Sequence, residues 1–189
     1  IARSLAASFA AGMTVLILEE EMLPEFGDEA AGAGAELAAV PRSADRIRQA
    51  GKTGALEFEA NRHLAAAAAA RLGIEAGTAL RGMEKARPDF GSLRFWDVRL
   101  PGARNLLRLV SAFAANDPDS TRRVLDALAA AGVLEGRRRI GLLNLREDRG
   151  DRTLQWLAAI RDGLLSDFDD VVLVGPPARA AARRLKKEP

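Results

Sequence analysis

The chain has 189 residues, of which 48% are apolar and 29% charged, an ordinary globular composition with room for a buried core. It contains no cysteine and one histidine, which excludes disulfide frameworks, thiolate metal sites, thiol nucleophiles and histidine-cluster metal centres. No apolar run approaches the roughly 18 residues of a membrane-spanning helix, and no signal-peptide pattern opens the chain. Lys and Arg together number 28, but the net charge is only +2. Arg137-Arg138-Arg139 and the tail Arg183-Arg184-Leu185-Lys186-Lys187 read as solvated faces, and no nucleic acid is expected as a partner.

Helix-like and strand-like segments alternate, which predicts an α/β protein. Residues 1–11 read as helix, 13–18 as an apolar strand, 21–33 as a helix interrupted by Pro24 and glycines, and 35–40 as a second strand. A polar helical turn is expected around residues 43–49, with Ser43 as its cap. The alanine-rich stretch 59–72 reads as a helix stopped by Gly73. Thr78 is expected to cap a further helix to Lys85, which Arg87-Pro88-Asp89-Phe90-Gly91 breaks. Residues 88–104 read as a boundary, with Pro101-Gly102 inside it.

Beyond the boundary, 106–113, 140–145 and 171–174 read as strands, with helices opening near Asp117, Asp151 and Ala178. Three strand-then-helix units predict one parallel sheet with right-handed crossovers.

Two short motifs are set aside. Gly51-Lys52-Thr53 resembles the end of a phosphate loop, but the required glycine five residues earlier is Arg46, so the segment reads as a surface turn. His63 stands alone in its helix, without companions at metal-ligand spacing.

Two loops carry more information. Ala114-Ala-Asn-Asp-Pro-Asp-Ser-Thr121 lies between a strand and a helix, where the helix N-terminus offers unpaired N–H groups to an anion. An Asp cap with Pro in the first turn also accounts for Asp117, Pro118 and Ser120. Asn144-Leu-Arg-Glu-Asp-Arg-Gly-Asp-Arg-Thr153 holds the same place one unit later and interleaves three arginines with three acids. It reads either as a self-paired surface loop or, with the first loop at the same sheet edge, as half of a shared crevice for an anionic ligand.

These paired loops resemble those of the ligase subunit of poly-γ-glutamate synthase, a relative of the Mur ligases and folylpolyglutamate synthetases. The resemblance continues through Asn61-Arg-His-Leu-Ala-Ala, Leu72-Gly-Ile74, Gly82-Met83, Pro88-Asp-Phe-Gly-Ser-Leu-Arg94 and Val171-Val-Leu-Val-Gly175. It implies an ATP-dependent acid–amino acid ligase, which phosphorylates a carboxylate and lets a glutamate amine displace phosphate. ATP and Mg²⁺ are the implied cofactors, with the metal ligands and phosphate loop expected upstream of Ile1. Residues 1–88 then correspond to the end of the central ATPase domain, 89–104 to a linker, and 105–189 to a truncated Rossmann-like C-terminal domain.

By the same resemblance, Asn61 holds adenine, Arg94 reaches phosphate from the linker, and Asn116 and Asp117 face the nucleotide. Asp119, Ser120, Asp148, Arg149 and Arg152 form the substrate and phosphate loops. None is a chemical acid or base; they position. The implied partners are ATP, glutamate or the poly-γ-glutamate chain, and membrane subunits of a synthase complex at the cytoplasmic face of the membrane. The chain reads as a fragment, expected to be inactive alone and to bind ATP poorly. A non-catalytic Rossmann-like binding module and another Mur-type or folylpolyglutamate ligase are the alternatives.

Overall fold

The structure is a computed structural model and describes residues 2–41, 47–50, 55–102, 104–136 and 138–187. It divides into two compact units, residues 1–111 and 112–189. Helices and strands mix in both, so the α/β class holds.

In the first unit, helix α1 (Ala2–Ala6) leads to strand β1 (Thr14–Leu18). A short 3₁₀ turn and helix α2 (Pro24–Ala33) follow, with Pro24 in the first turn of α2. Its missing N–H costs nothing there, because that donor has no helical acceptor. Gly34, at φ 69°, closes α2 in the left-handed conformation and returns the chain to strand β2 (Glu36–Val40). β1 and β2 pair in parallel from Thr14–Glu36 to Leu18–Val40. Leu18 and Val40 bury against Ala60 of helix α3 (Glu59–Arg71), with Leu16, Leu64 and Ala67 around them. The small alanines let α3 approach the strand pair closely, which is why so low-complexity a helix still docks.

A second, antiparallel sheet has the order β3–β4–β5–β6, formed by Ile47–Ala50, Ala55–Phe58, Arg94–Arg99 and Leu106–Ser111. Helix α4 (Ala76–Lys85) sits in sequence between β4 and β5. Its cap is Glu75, whose carboxylate accepts from the Gly77 and Thr78 amides at 2.7 and 2.8 Å. Thr78 is therefore a donor to the cap and not the cap itself.

Two further sequence expectations are corrected here. Residues 47–50 are strand, not part of a polar helical turn; Ser43 lies outside the described residues, as does Gly51-Lys52-Thr53. The stretch Leu106–Ser111 does not join a parallel sheet with the later strands. It forms an antiparallel hairpin with β5, in register from Arg94–Ser111 to Arg99–Leu106. The physical reason is local: Phe95, Trp96 and Val98 are strong strand formers, and the intervening loop contains Gly102 at φ 77°. The Asp97 carboxylate accepts from Arg108 Nε and Nη2 at 2.8 and 2.6 Å, and the Arg108 guanidinium lies 4.8 Å from the Phe95 ring centroid. Neighbouring rows of the hairpin are thereby pinned together.

The second unit contains α5 (Pro118–Ala130), β7 (Ile140–Asn144), α6 (Gly150–Arg161), β8 (Asp170–Val174) and α7 (Ala178–Lys187). β7 and β8 pair in parallel, Ile140 with Asp170 through Asn144 with Val174. Leu145, Leu157 and Ala181 bury together, with Leu143, Leu173 and Leu185 packed around them. Leu143 of β7 and Leu173 of β8 thus join side chains of α6 and α7 in one core, the pattern of a β–α–β unit.

Candidate functional site

Asn61 and Arg94 belong to the first unit, and the other seven candidate residues to the second. Asn61 is exposed on the first turn of α3. A cleft of about 310 Å³ nearby is lined by Arg48, Glu59, Arg62, His63, Leu80 and Glu84, without Asn61. His63, set aside from the sequence, therefore lines a cavity.

Arg94 opens β5 and is already engaged. Its Nη2 donates to the carbonyls of Pro88 and Asp89 at 2.7 and 3.0 Å, while its Nε is buried without a hydrogen-bond partner. The guanidinium holds the 88–91 turn in place, and one donor remains unspent.

In the second unit both loops end at helix N-termini. Asp117 is the N-cap of α5, with extended backbone at φ −137° and ψ 161°. Its carboxylate accepts from the Ser120 amide at 2.9 Å and from the Ser120 hydroxyl at 2.8 Å. Thr121 closes the turn from the other side, its hydroxyl donating to the Ala115 carbonyl at 3.3 Å. Burial alone raises the Asp117 pKa, but the Ser120 bonds and the positive charge of Arg152 outweigh it and hold the carboxyl below its ordinary range. Asn116 and Asp119 are exposed.

The α6 loop is built differently. Arg149 occupies the N-cap position, at φ −129° and ψ 52°, and makes no side-chain capping bond. Its carbonyl accepts from the amide and hydroxyl of Thr153 at 3.0 and 3.3 Å, and Thr153 is the one buried polar residue among those described. Arg146 grips Asp148 through Nε and Nη2 at 2.9 and 2.7 Å. That fork-to-carboxylate contact lowers the Asp148 pKa and raises that of Arg146. Arg149 Nε lies 4.0 Å from the same carboxylate, with its side chain about half exposed. The self-paired reading of this loop thus describes Arg146 and Asp148. The ion pair of Arg149 is with Asp148.

In the sequence Gly175 figures only as the end of the Val171–Gly175 motif. It ends β8 at φ 96°, and a Cβ there would collide with the Leu145 carbonyl and crowd the Asn144 side chain. The close approach fixes the strand ends from which the α6 loop departs. Its signal in the sequence was a glycine directly after an apolar strand, where backbone must pass backbone.

No three His, Asp or Glu side chains among the described residues are grouped to hold a metal ion. What the second unit offers is a parallel β–α–β unit with cationic and acidic loops at helix N-termini, an arrangement suited to binding and orienting an anionic ligand.

Comparison with known proteins makes the class specific. Residues 99–189 match the family described as poly-gamma-glutamate synthase CapB C-terminal domain. The capsule biosynthesis protein CapB of Bacillus anthracis is 40% identical over 99 residues, 52% of this chain and 21% of that protein. The PGA synthase CapB of Bacillus subtilis (strain 168) is 32% identical over 118 residues, 62% of this chain and 29% of that protein. The resemblance to the ligase subunit of poly-γ-glutamate synthase is thereby borne out. The matched region spans less than a third of the length of these relatives.

Proposed function

We propose that this chain is the nucleotide- and substrate-positioning part of an ATP-dependent acid–amino acid ligase that extends poly-γ-glutamate. The observation that carries the proposal is that the Asp117 and Arg149 loops open α5 and α6 within one unit, each ending at a helix N-terminus. The similarity of residues 99–189 to the CapB C-terminal domain supports it.

ATP, when bound, supplies the phosphoryl group that turns a carboxylate into an acyl phosphate open to attack by an amine. This chain's own residues do the positioning. Arg149 and Arg152 flank Asp151 at the start of α6, where the helix dipole favours an anion and the two guanidinium groups can grip it. Asp117 is taken up by Ser120, which leaves the cationic side chains of the α6 loop to the ligand. Arg94 keeps the 88–91 turn in one conformation through its bonds to the Pro88 and Asp89 carbonyls.

The test is ATP-dependent amide formation by a full-length protein containing this chain, read as phosphate release that requires both glutamate and a carboxylate acceptor. Glutamate-dependent phosphate release supports the ligase. ATP binding without turnover in the full-length protein favours a non-catalytic nucleotide-binding module instead.

A further inference from the structure

α7 has two unlike faces. Ala181 is buried and Leu185 packs with it on the second unit's core, so the apolar side is spent. The other side carries Arg179, Arg183, Arg184 and Lys186, all exposed, and the helix contains no acidic residue. None of the four forms an ion pair among the described residues. Arg161 of α6 adds a further cation beside them, its Nη2 donating to the Arg184 carbonyl at 3.1 Å.

Helix electrostatics account for part of this. Cations in the last turn are favoured by the helix dipole, which explains Arg183, Arg184 and Lys186. Arg179 sits in the first turn, where the dipole disfavours it, and four residues before Arg183, where like charges repel. A cationic face kept at that cost calls for an external anion.

We infer that the exposed face of α7 is a docking strip for a polyanionic γ-glutamyl chain, an inference that rests on the ligase reading above. Arg179, Arg183 and Lys186 follow i, i+4, i+7 spacing, so they rise by about 6 and about 4.5 Å along one side of the helix. A γ-linked glutamate polymer leaves one free carboxylate per repeat, and its five backbone bonds extend on the order of 6 Å per repeat at standard lengths. An odd number of backbone atoms per repeat turns successive carboxylates to alternate sides of the extended polymer, so those on one side recur on the order of 12 Å apart. That is close to the rise of about 10.5 Å from Arg179 to Lys186, and arginine grips a carboxylate through a planar fork. A bilayer surface fits less well, because the apolar side that would enter lipid is already packed on the core. A single-stranded nucleic acid fits less well, because the helix offers no aromatic side chain for stacking.

The experiment is fluorescence anisotropy of labelled poly-γ-glutamate titrated with the 189-residue chain, beside the triple variant Arg179→Gln/Arg183→Gln/Lys186→Gln. Glutamine preserves helix propensity, and an unchanged circular-dichroism melt verifies the fold. The expected result is saturable binding, weakened by salt and at least tenfold weaker in the variant. Should the triple variant melt early, the single exposed change Arg183→Gln decides the matter through a smaller loss of the same sign. The inference is overturned if the variants bind as tightly as the parent chain or if the polymer does not bind. It is equally overturned if phosphatidylserine vesicles or a uridine homopolymer bind tighter than the polymer. Binding is read without turnover. Polymer binding without amide synthesis by the full-length protein would remove the ligase reading, whereas synthesis without polymer binding would remove only the docking strip.

Discussion

The N-termini of α5 and α6 stand in the same chain context, yet they are finished in opposite ways. α5 is closed: Asp117 caps it twice through Ser120, Pro118 needs no donor partner, and Thr121 ties the turn to Ala115. α6 is open: Arg149 stands at the cap position without a capping bond, and Arg149 and Arg152 flank Asp151 in its first turn. A terminus completed by its own side chains contributes stability and has little left for a ligand. One left incomplete, with cations around it, is less stable and can receive an anion. The contrast predicts that changes at the closed end register in stability and changes at the open end register in function.

The largest effect should come from removing the support beneath the open end. Gly175→Ala forces a side chain into left-handed backbone and against the Leu145 carbonyl. Strain of this kind costs about 1–3 kcal/mol, and the collision adds to it. Urea denaturation should show a clear fall in midpoint; an unchanged midpoint would mean that the strand ends do not pass as closely as described.

Asp117→Ala should cost about 1 kcal/mol, the usual value of an N-cap, read as a lower melting temperature. Asp117→Asn should retain most of the cap and change the pH response instead. The folded pKa of Asp117 is lowered, so its stabilisation is present above the unfolded value of about 3.9 and is lost as pH falls through the folded value. The parent chain should therefore lose stability in that acid window more steeply than the Asn variant. Equal slopes would contradict the assigned hydrogen bonds.

Arg149→Lys sharpens the comparison from the other end. Its side chain is half exposed and caps nothing, so stability should stay within about 0.5 kcal/mol. In the full-length ligase the same change should reduce turnover about tenfold, because one charge-assisted bond of roughly 1.5–3 kcal/mol is lost. A fall in melting temperature without a fall in turnover would make Arg149 a structural clasp. The smallest effect is expected of Asp148→Asn, which removes a surface ion pair with Arg146 and should leave the melt unchanged.

Much of this was legible in the sequence, for reasons visible in particular residues. The apolar runs at 14–18, 140–144 and 170–174 and the helices opening at Pro118 and Ala178 were found within a few residues, because periodicity and turn residues agree there. The hairpin Arg94–Ser111 was half missed. β5 alternates Arg, Phe, Trp, Asp, Val and Arg, a pattern too mixed to stand out, and its proper partner is known only once the register is seen. The two loops were found as loops, and the cap at Asp117 was among the readings considered. Which arginine faces Asp117 is a three-dimensional matter that spacing does not determine.

The most direct measurement is an amide chemical-shift titration of the 189-residue chain with inorganic phosphate and with ADP, at millimolar concentrations. The account predicts saturable shifts at the Asp151 and Arg152 amides of the open α6 terminus, with the capped Ser120 and Thr121 amides of α5 unmoved. Equal shifts at both termini, or none at α6, would contradict it.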